Sequence, residues 1–125
     1  MKETPQLPPV QTDQRGEIRR FSLQGDDFAA IFTKKGFYRG GDFHNVVQHI
    51  VVVRGEFEIT TRENERDVVT TKRTGELISF PPMVPHLLKA LTDSVFIEWL
   101  DGPFHVEKYP PYRKLVEEQL KNPPG

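Results

Sequence analysis

Between Gly16 and Leu100 the apolar residues fall into short runs of β-forming side chains, each closed by a turn signal before it reaches helix length. The runs are Glu17–Leu23, Phe28–Thr33, Val46–Val53, Glu56–Arg62, Asp67–Lys72, Leu77–Phe80, His86–Leu91 and Ser94–Leu100. Gly25-Asp26-Asp27, Lys34-Lys35-Gly36, Gly55 and Glu63-Asn64-Glu65 separate them. The strongest run, VVQHIVVV, is dense in β-branched residues, which fit a pleated surface. Many short strands at regular spacing predict an all-β sandwich or barrel.

A length of 125 residues suits one compact domain. Residues 1–15 hold three prolines and few apolar groups, and read as an extended arm of the kind that can pack on a neighbouring subunit. Regular structure is expected from about Gly16, with the barrel over 16–104 and a tail over 105–125. Only the tail has helical spacing: Leu115, Val116, Gln119 and Leu120 recur at i, i+3 and i+4 within Tyr112–Leu120. Pro110 and Pro111 suit a helix start, and Asn122-Pro123 ends it.

Charge and composition exclude several classes. The chain carries 17 basic and 18 acidic residues, intermixed as in Arg62-Glu63-Asn64-Glu65-Arg66. A nucleic-acid partner would call for a clustered basic excess. With no cysteine, disulfides, thiolate nucleophiles and Cys-based zinc sites are all removed, and a reducing compartment is favoured. The N-terminus has no apolar leader, and no apolar run approaches the roughly 18 residues of a membrane span. The expectation is a soluble cytoplasmic protein without a membrane partner.

Two stretches carry the chemistry. In Gly40-Gly41-Asp42-Phe43-His44-Asn45-Val46-Val47-Gln48, Asp42 and His44 share a strand face, and Tyr38 has the same parity. His44 and Gln48 also share parity, but on one straight strand they would lie about 13 Å apart. They converge only if the chain bends between them, and Asn45 is a natural bend residue. His49 has the opposite parity. If Gln48, Ile50 and Val52 face inward, then Val47, His49, Val51 and Val53 form an outer face apolar enough to need a cover, and a two-fold dimer is the simplest one. In the second stretch, Gly75 to His86, three prolines in the last six residues fix the backbone that delivers His86.

Together these stretches resemble the two motifs of the cupin superfamily. The first family motif runs roughly Gly-x5-His-x-His-x3/4-Glu-x6-Gly. Here Asp42-x-His44-x3-Gln48-x6-Gly55 keeps the spacing, with Asp42 for the first histidine and Gln48 for the glutamate. The second runs roughly Gly-x5-Pro-x-Gly-x2-His-x3-Asn. Here Gly75-x5-Pro81-x4-His86 keeps the frame, with Met83 at the glycine position and Ala90 at the asparagine position. The resemblance spans about residues 36 to 100. It implies a double-stranded β-helix, an antiparallel jelly roll, with one divalent transition metal (Fe, Ni, Mn or Zn) at the barrel centre and no organic cofactor. The ligands would be Asp42, His44, Gln48 and His86. Asp13-x-Arg15-Gly16, Arg39-Gly40 and the tail are also similar to sugar-nucleotide 3,4-ketoisomerases, which use histidines as acid and base without metal.

A histidine titrates near pH 6.5, so His44 and His86 suit acid/base work at neutral pH as well as metal binding. Tyr38 and Glu98 are further candidates for catalysis, and Arg39 and Lys34 for holding an anionic substrate at the barrel mouth. Glu98 and Trp99 face opposite ways, and their order does not tell which points inward. Glu56 and Glu58 read as a solvated rim, and His105 as surface. Three functions stay open: an isomerase, epimerase or lyase acting on a sugar-like or carbonyl small molecule; a metal-dependent dioxygenase; and a non-catalytic small-ligand binder.

Overall fold

The computed structural model describes residues 10–103 and 105–124, so the first nine residues of the expected arm lie outside the described residues. Eleven strands precede one helix: β1 (Gln11–Asp13), β2 (Gly16–Leu23), β3 (Asp26–Thr33), β4 (Tyr38–His44), β5 (Gln48–Arg54), β6 (Glu56–Glu63), β7 (Arg66–Arg73), β8 (Leu77–Phe80), β9 (His86–Ala90), β10 (Ser94–Leu100), β11 (Val106–Lys108) and α1 (Pro110–Lys121). They form two antiparallel sheets, ordered β1-β2-β3-β10-β5-β8 and β11-β4-β9-β6-β7. This is the expected all-β jelly roll with a short C-terminal helix.

Alternation fixes the interior. Ala29 and Ile31, Ile50 and Val52, Phe57 and Ile59, Phe80, Leu88, Ala90 and Phe96 form one continuous core between the sheets. The expected parity of β5 holds, since Gln48, Ile50 and Val52 are buried. On the outer face of the first sheet, Val53 and Leu77 are 47% and 54% exposed. His49 stacks on Trp99, which in turn contacts Phe28, and Phe28 stacks on Phe21. An apolar stripe therefore crosses this face.

Two boundaries differ from the sequence expectation. Regular structure begins before Gly16, because β1 pairs with β2 through Gln11↔Ile18 to Asp13↔Gly16. The tail adds β11, which pairs with β4 from Val106↔His44 to Lys108↔Asp42. The helix begins at Pro110, with both prolines in the first turn, where a missing N–H costs no hydrogen bond. Its inner face is Tyr112 and Val116, packed on Leu87 and Tyr38, whereas Leu115 is exposed. Gln119 fastens the helix, accepting from Tyr38 N at 2.7 Å and donating to Gly36 O at 2.7 Å.

Candidate functional site

The interior loses its apolar character at one end of the barrel, where Asp42, His44, Gln48, His86 and Glu98 line a cavity of about 580 Å³. That volume lies within the range of small-molecule sites. The chain bends after His44, with bends at Asn45 and Val46, and re-enters as β5 in the opposite sheet. His44 and Gln48 therefore face each other across the barrel instead of lying stretched along one strand. The Asn45 side chain helps hold the bend, its Oδ1 accepting from His105 N at 2.6 Å.

A bulge in β4 decides what else reaches the cavity. Arg39 pairs with Leu88 and Gly40 with Leu87, but Asp42 pairs with His86, leaving Gly41 as an extra residue. Gly41 has φ +81°, and a Cβ there would meet the backbone of Arg113 at 2.8 Å, so the helix rests directly on the bulge. The extra residue reverses parity. Arg39 and Asp42 both point inward, and Tyr38 points outward to the helix, with Lys89 over its ring. The shared parity expected for Tyr38, Asp42 and His44 thus fails upstream of Gly41, and Tyr38 is not part of the cavity.

The second stretch delivers His86. Its ring stacks on Phe80 with centroids 4.2 Å apart, and its Nδ1 lies 3.2 Å from Val84 O. A carbonyl can only accept, so Nδ1 carries the proton there and Nε2 faces the cavity. Met83, at the glycine position of the family motif, has φ +68°. That conformation favours glycine and is strained for methionine.

The cluster has a simple geometry. Asp42 Oδ1 lies 3.3 Å from His86 Nε2 and 3.8 Å from His44 Nε2. One ligand atom from each of the three residues lies within 4.8 Å of the others. With His86 Nδ1 protonated, a neutral Nε2 would set a lone pair against a carboxylate oxygen. A cation between them, proton or metal, removes that repulsion. Two imidazoles and a carboxylate are also a donor set that divalent transition metals accept. The residues present therefore fit a metal ion held by Asp42, His44 and His86.

The carboxylates are driven apart in acidity. Burial alone would raise Asp42, but its hydrogen bond and charge interaction with His86, helped by His44 and Arg113, hold it below the usual range. Burial raises Glu98, and the charge on Asp42 adds to this, outweighing His86, Arg20 and the bond from Gln48. Burial lowers His44 and His86 adds to this, against the opposite pull of Asp42 and Gln48. Gln48 Nε2 donates to Glu98 Oε2 at 2.6 Å, fixing the carboxyl. Glu98 shares its strand face with Phe96 and Ser94, so it is Glu98 that points inward, while Trp99 lies beside His49 on the outer face.

Other candidates sit elsewhere. Lys34 is exposed and lines a separate cleft with Arg54 and Asp93, so it does not share the cavity with Arg39. His49 faces outward, 2.7 Å from Ser79 Oγ and 2.9 Å from Asp101 Oδ1. His105 is on the surface. Arg15, Arg20 and Arg113 also line the cavity. They come from the β1–β2 hairpin and the helix, far from both cupin-like motifs in sequence; Arg15 belongs to the Asp13-x-Arg15-Gly16 stretch, whereas no local pattern marks Arg20 or Arg113.

No family model and no curated protein matches the chain. Solved structures do. The capsular polysaccharide assembling protein CapF from Staphylococcus aureus matches with a TM-score of 0.69 at 20% identity, over 80% of this chain and 30% of that one. CapF bound to 3-isopropenyl-tropolone gives 0.70 at 22% identity, over 80% and 32%. Bacillus subtilis oxalate decarboxylase gives 0.71 at 18% identity, over 94% and 37%. The chain thus spans about a third of the length of these neighbours. Both neighbours are cupins, and the identities are low enough that the likeness is one of fold. With two antiparallel sheets closing around its cavity, the chain has the same jelly-roll fold as these cupin neighbours.

Proposed function

We propose that the chain is an enzyme, an isomerase, epimerase or lyase that moves protons on a small carbonyl or sugar-like molecule inside the barrel. The observation that supports this best is the pairing of Asp42 and Glu98, two carboxyls in one cavity with acidities displaced in opposite directions beside His44 and His86. Opposite displacement is how one site keeps an acid and a base at the same pH. Glu98, favoured in its protonated form and aimed by Gln48, donates to a substrate oxygen. His44, favoured neutral, accepts a proton from the adjacent carbon. A divalent ion held by Asp42, His44 and His86 would polarise a carbonyl. The imidazoles are then ligands, and Glu98 remains to carry the proton. Arg15 and Arg39, the residues similar to the sugar-nucleotide ketoisomerases, both line the cavity, which supports the same class of substrate.

The test is proton exchange. Dihydroxyacetone and glyceraldehyde are incubated with the protein in deuterated water, and loss of the α-proton signal is followed by NMR. Exchange that is abolished in His86→Ala and Glu98→Gln supports the reading. Failure of the wild type to exchange either compound or any ketosugar in a wider panel would overturn it.

A second reading, a metal-dependent oxygenase, is favoured by the three-residue donor cluster and by the Mn(II) centres of the oxalate decarboxylase neighbour. Stoichiometric iron, nickel or manganese together with substrate-dependent oxygen uptake would select it. If ligand binds without turnover, the protein is a binding module. We also assign a second copy of this chain to the apolar face bearing Val53 and Leu77, making a homodimer, and the cytoplasm as the compartment of this cysteine-free chain.

A further inference from the structure

Arg39 is 5% exposed, yet no carboxylate lies within ion-pair distance of it among the described residues. Its Nε donates to Thr33 Oγ1 at 3.0 Å and its Nη2 to Phe32 O at 3.0 Å, and both acceptors are neutral. The nearest acids are engaged elsewhere. Asp13 is held by Arg15 at 2.7 Å, and Glu98 by Gln48. A guanidinium does not escape burial by giving up its proton. A buried charge whose direct partners are all neutral is costly to keep, so a site that keeps one is poised for a counter-charge. Arg39 lines the cavity that holds Asp42 and His86, three residues from Asp42 on the same strand, because the Gly41 bulge turns both inward. Arg20 lines the same wall and also makes no ion pair among the described residues.

We infer that Arg39 is an oxyanion-binding residue, and that the molecule taken by this cavity carries a carboxylate or phosphate that pairs with it. This rests on the reading of the cavity as a substrate site and narrows that substrate to a small acid. The anion meets Arg39, and the rest of the molecule extends along β4 to Asp42, His44 and His86. A planar fork of donors matches both oxyanions, so the two chemical sources are separated by experiment.

The probes are L-lactate, glycerol 3-phosphate and the neutral control glycerol, titrated by calorimetry at low and high salt. At least one anion is expected to bind saturably and to weaken with salt, while glycerol does not bind. Preference for lactate identifies a carboxylate ligand, and preference for glycerol 3-phosphate a phosphate ester. Arg39→Gln is expected to weaken that binding at least tenfold. Arg39→Lys, which keeps the charge and protects the fold, is expected to lose several-fold through the lost fork. His86→Ala is expected to keep anion binding while losing proton exchange. Equal anion affinity in wild type and both Arg39 variants overturns the assignment, as does absence of anion binding in a wild type that still exchanges protons. In the latter case the enzymatic reading survives and only the anion site fails.

Discussion

Asp42 and His86 are directly opposite residues on neighbouring strands, and their side chains meet at 3.3 Å inside the barrel. His44 joins the same carboxylate oxygen from the far end of β4. Removing any of the three should abolish tight metal binding. For His86→Ala and Asp42→Ala we expect at least a tenfold loss of affinity for Mn(II) or Zn(II), measured by competition with a chelating dye. Gln48→Ala, which changes a neutral residue outside this trio, should lose less.

Glu98 should make stability depend on pH in a defined direction. Its carboxyl titrates higher in the folded than in the unfolded chain, so its contribution is fully present below the unfolded value and is lost as pH rises through the folded one. Glu98→Gln should therefore melt above the wild type at neutral pH, by a few degrees. The gain should vanish as pH falls to about 4, near the unfolded value. Differential scanning calorimetry across that range checks it. A gain that persists at low pH would contradict the assigned sign.

At Gly41 a methyl group would collide with the helix backbone at 2.8 Å and would sit at φ +81°. Gly41→Ala should cost about 1–3 kcal/mol. Because the bulge also aims Asp42, the variant should lose metal affinity together with stability, whereas Val116→Ala, which only loosens the helix, should cost about 2 kcal/mol with the site intact. Parallel melting and metal titration of the two variants separate these effects.

Met83 offers a test of opposite sign. It is 59% exposed and held in the left-handed region. Relief of that strain is worth about 1–2 kcal/mol, more than the roughly 0.4–1 kcal/mol lost to greater freedom of the unfolded chain. Met83→Gly should raise the denaturant midpoint with no change in slope.

Leu77→Glu and Val53→Glu place charge on the outer apolar face without touching the cavity. If two copies meet there, each variant should shift the protein to monomer in sedimentation velocity at micromolar concentration. An unchanged wild-type dimer in both variants would move the interface elsewhere.

The strands flanking the site were legible because Val/Ile-rich runs bounded by glycine encode a pleated, half-buried surface. The convergence of His44, Gln48 and His86 was legible too, through motif spacing and the bend at Asn45. The contents of β4 were not. Tyr38-Arg39-Gly40-Gly41 has little β-branched character, and its extra residue shows only when the pairing with β9 is known. Parity counted across it put Tyr38 in the cavity, and Arg39, named only for the barrel mouth, was not seen to share the inner face with Asp42. Glu98 and Trp99 could not be ordered because β10 has apolar neighbours on both faces. Strand β11 is three residues long, too short to carry a pattern.

The bulge also changes what a substitution near the motif means. Counting backwards from Asp42, position 39 addresses the cavity and position 38 addresses the helix, the reverse of what an unbroken strand would give. Deleting Gly41 would exchange their addresses. A phenol would enter the barrel, a guanidinium would leave it, and the interior would trade a fixed positive charge for a weak acid without a single side chain being replaced.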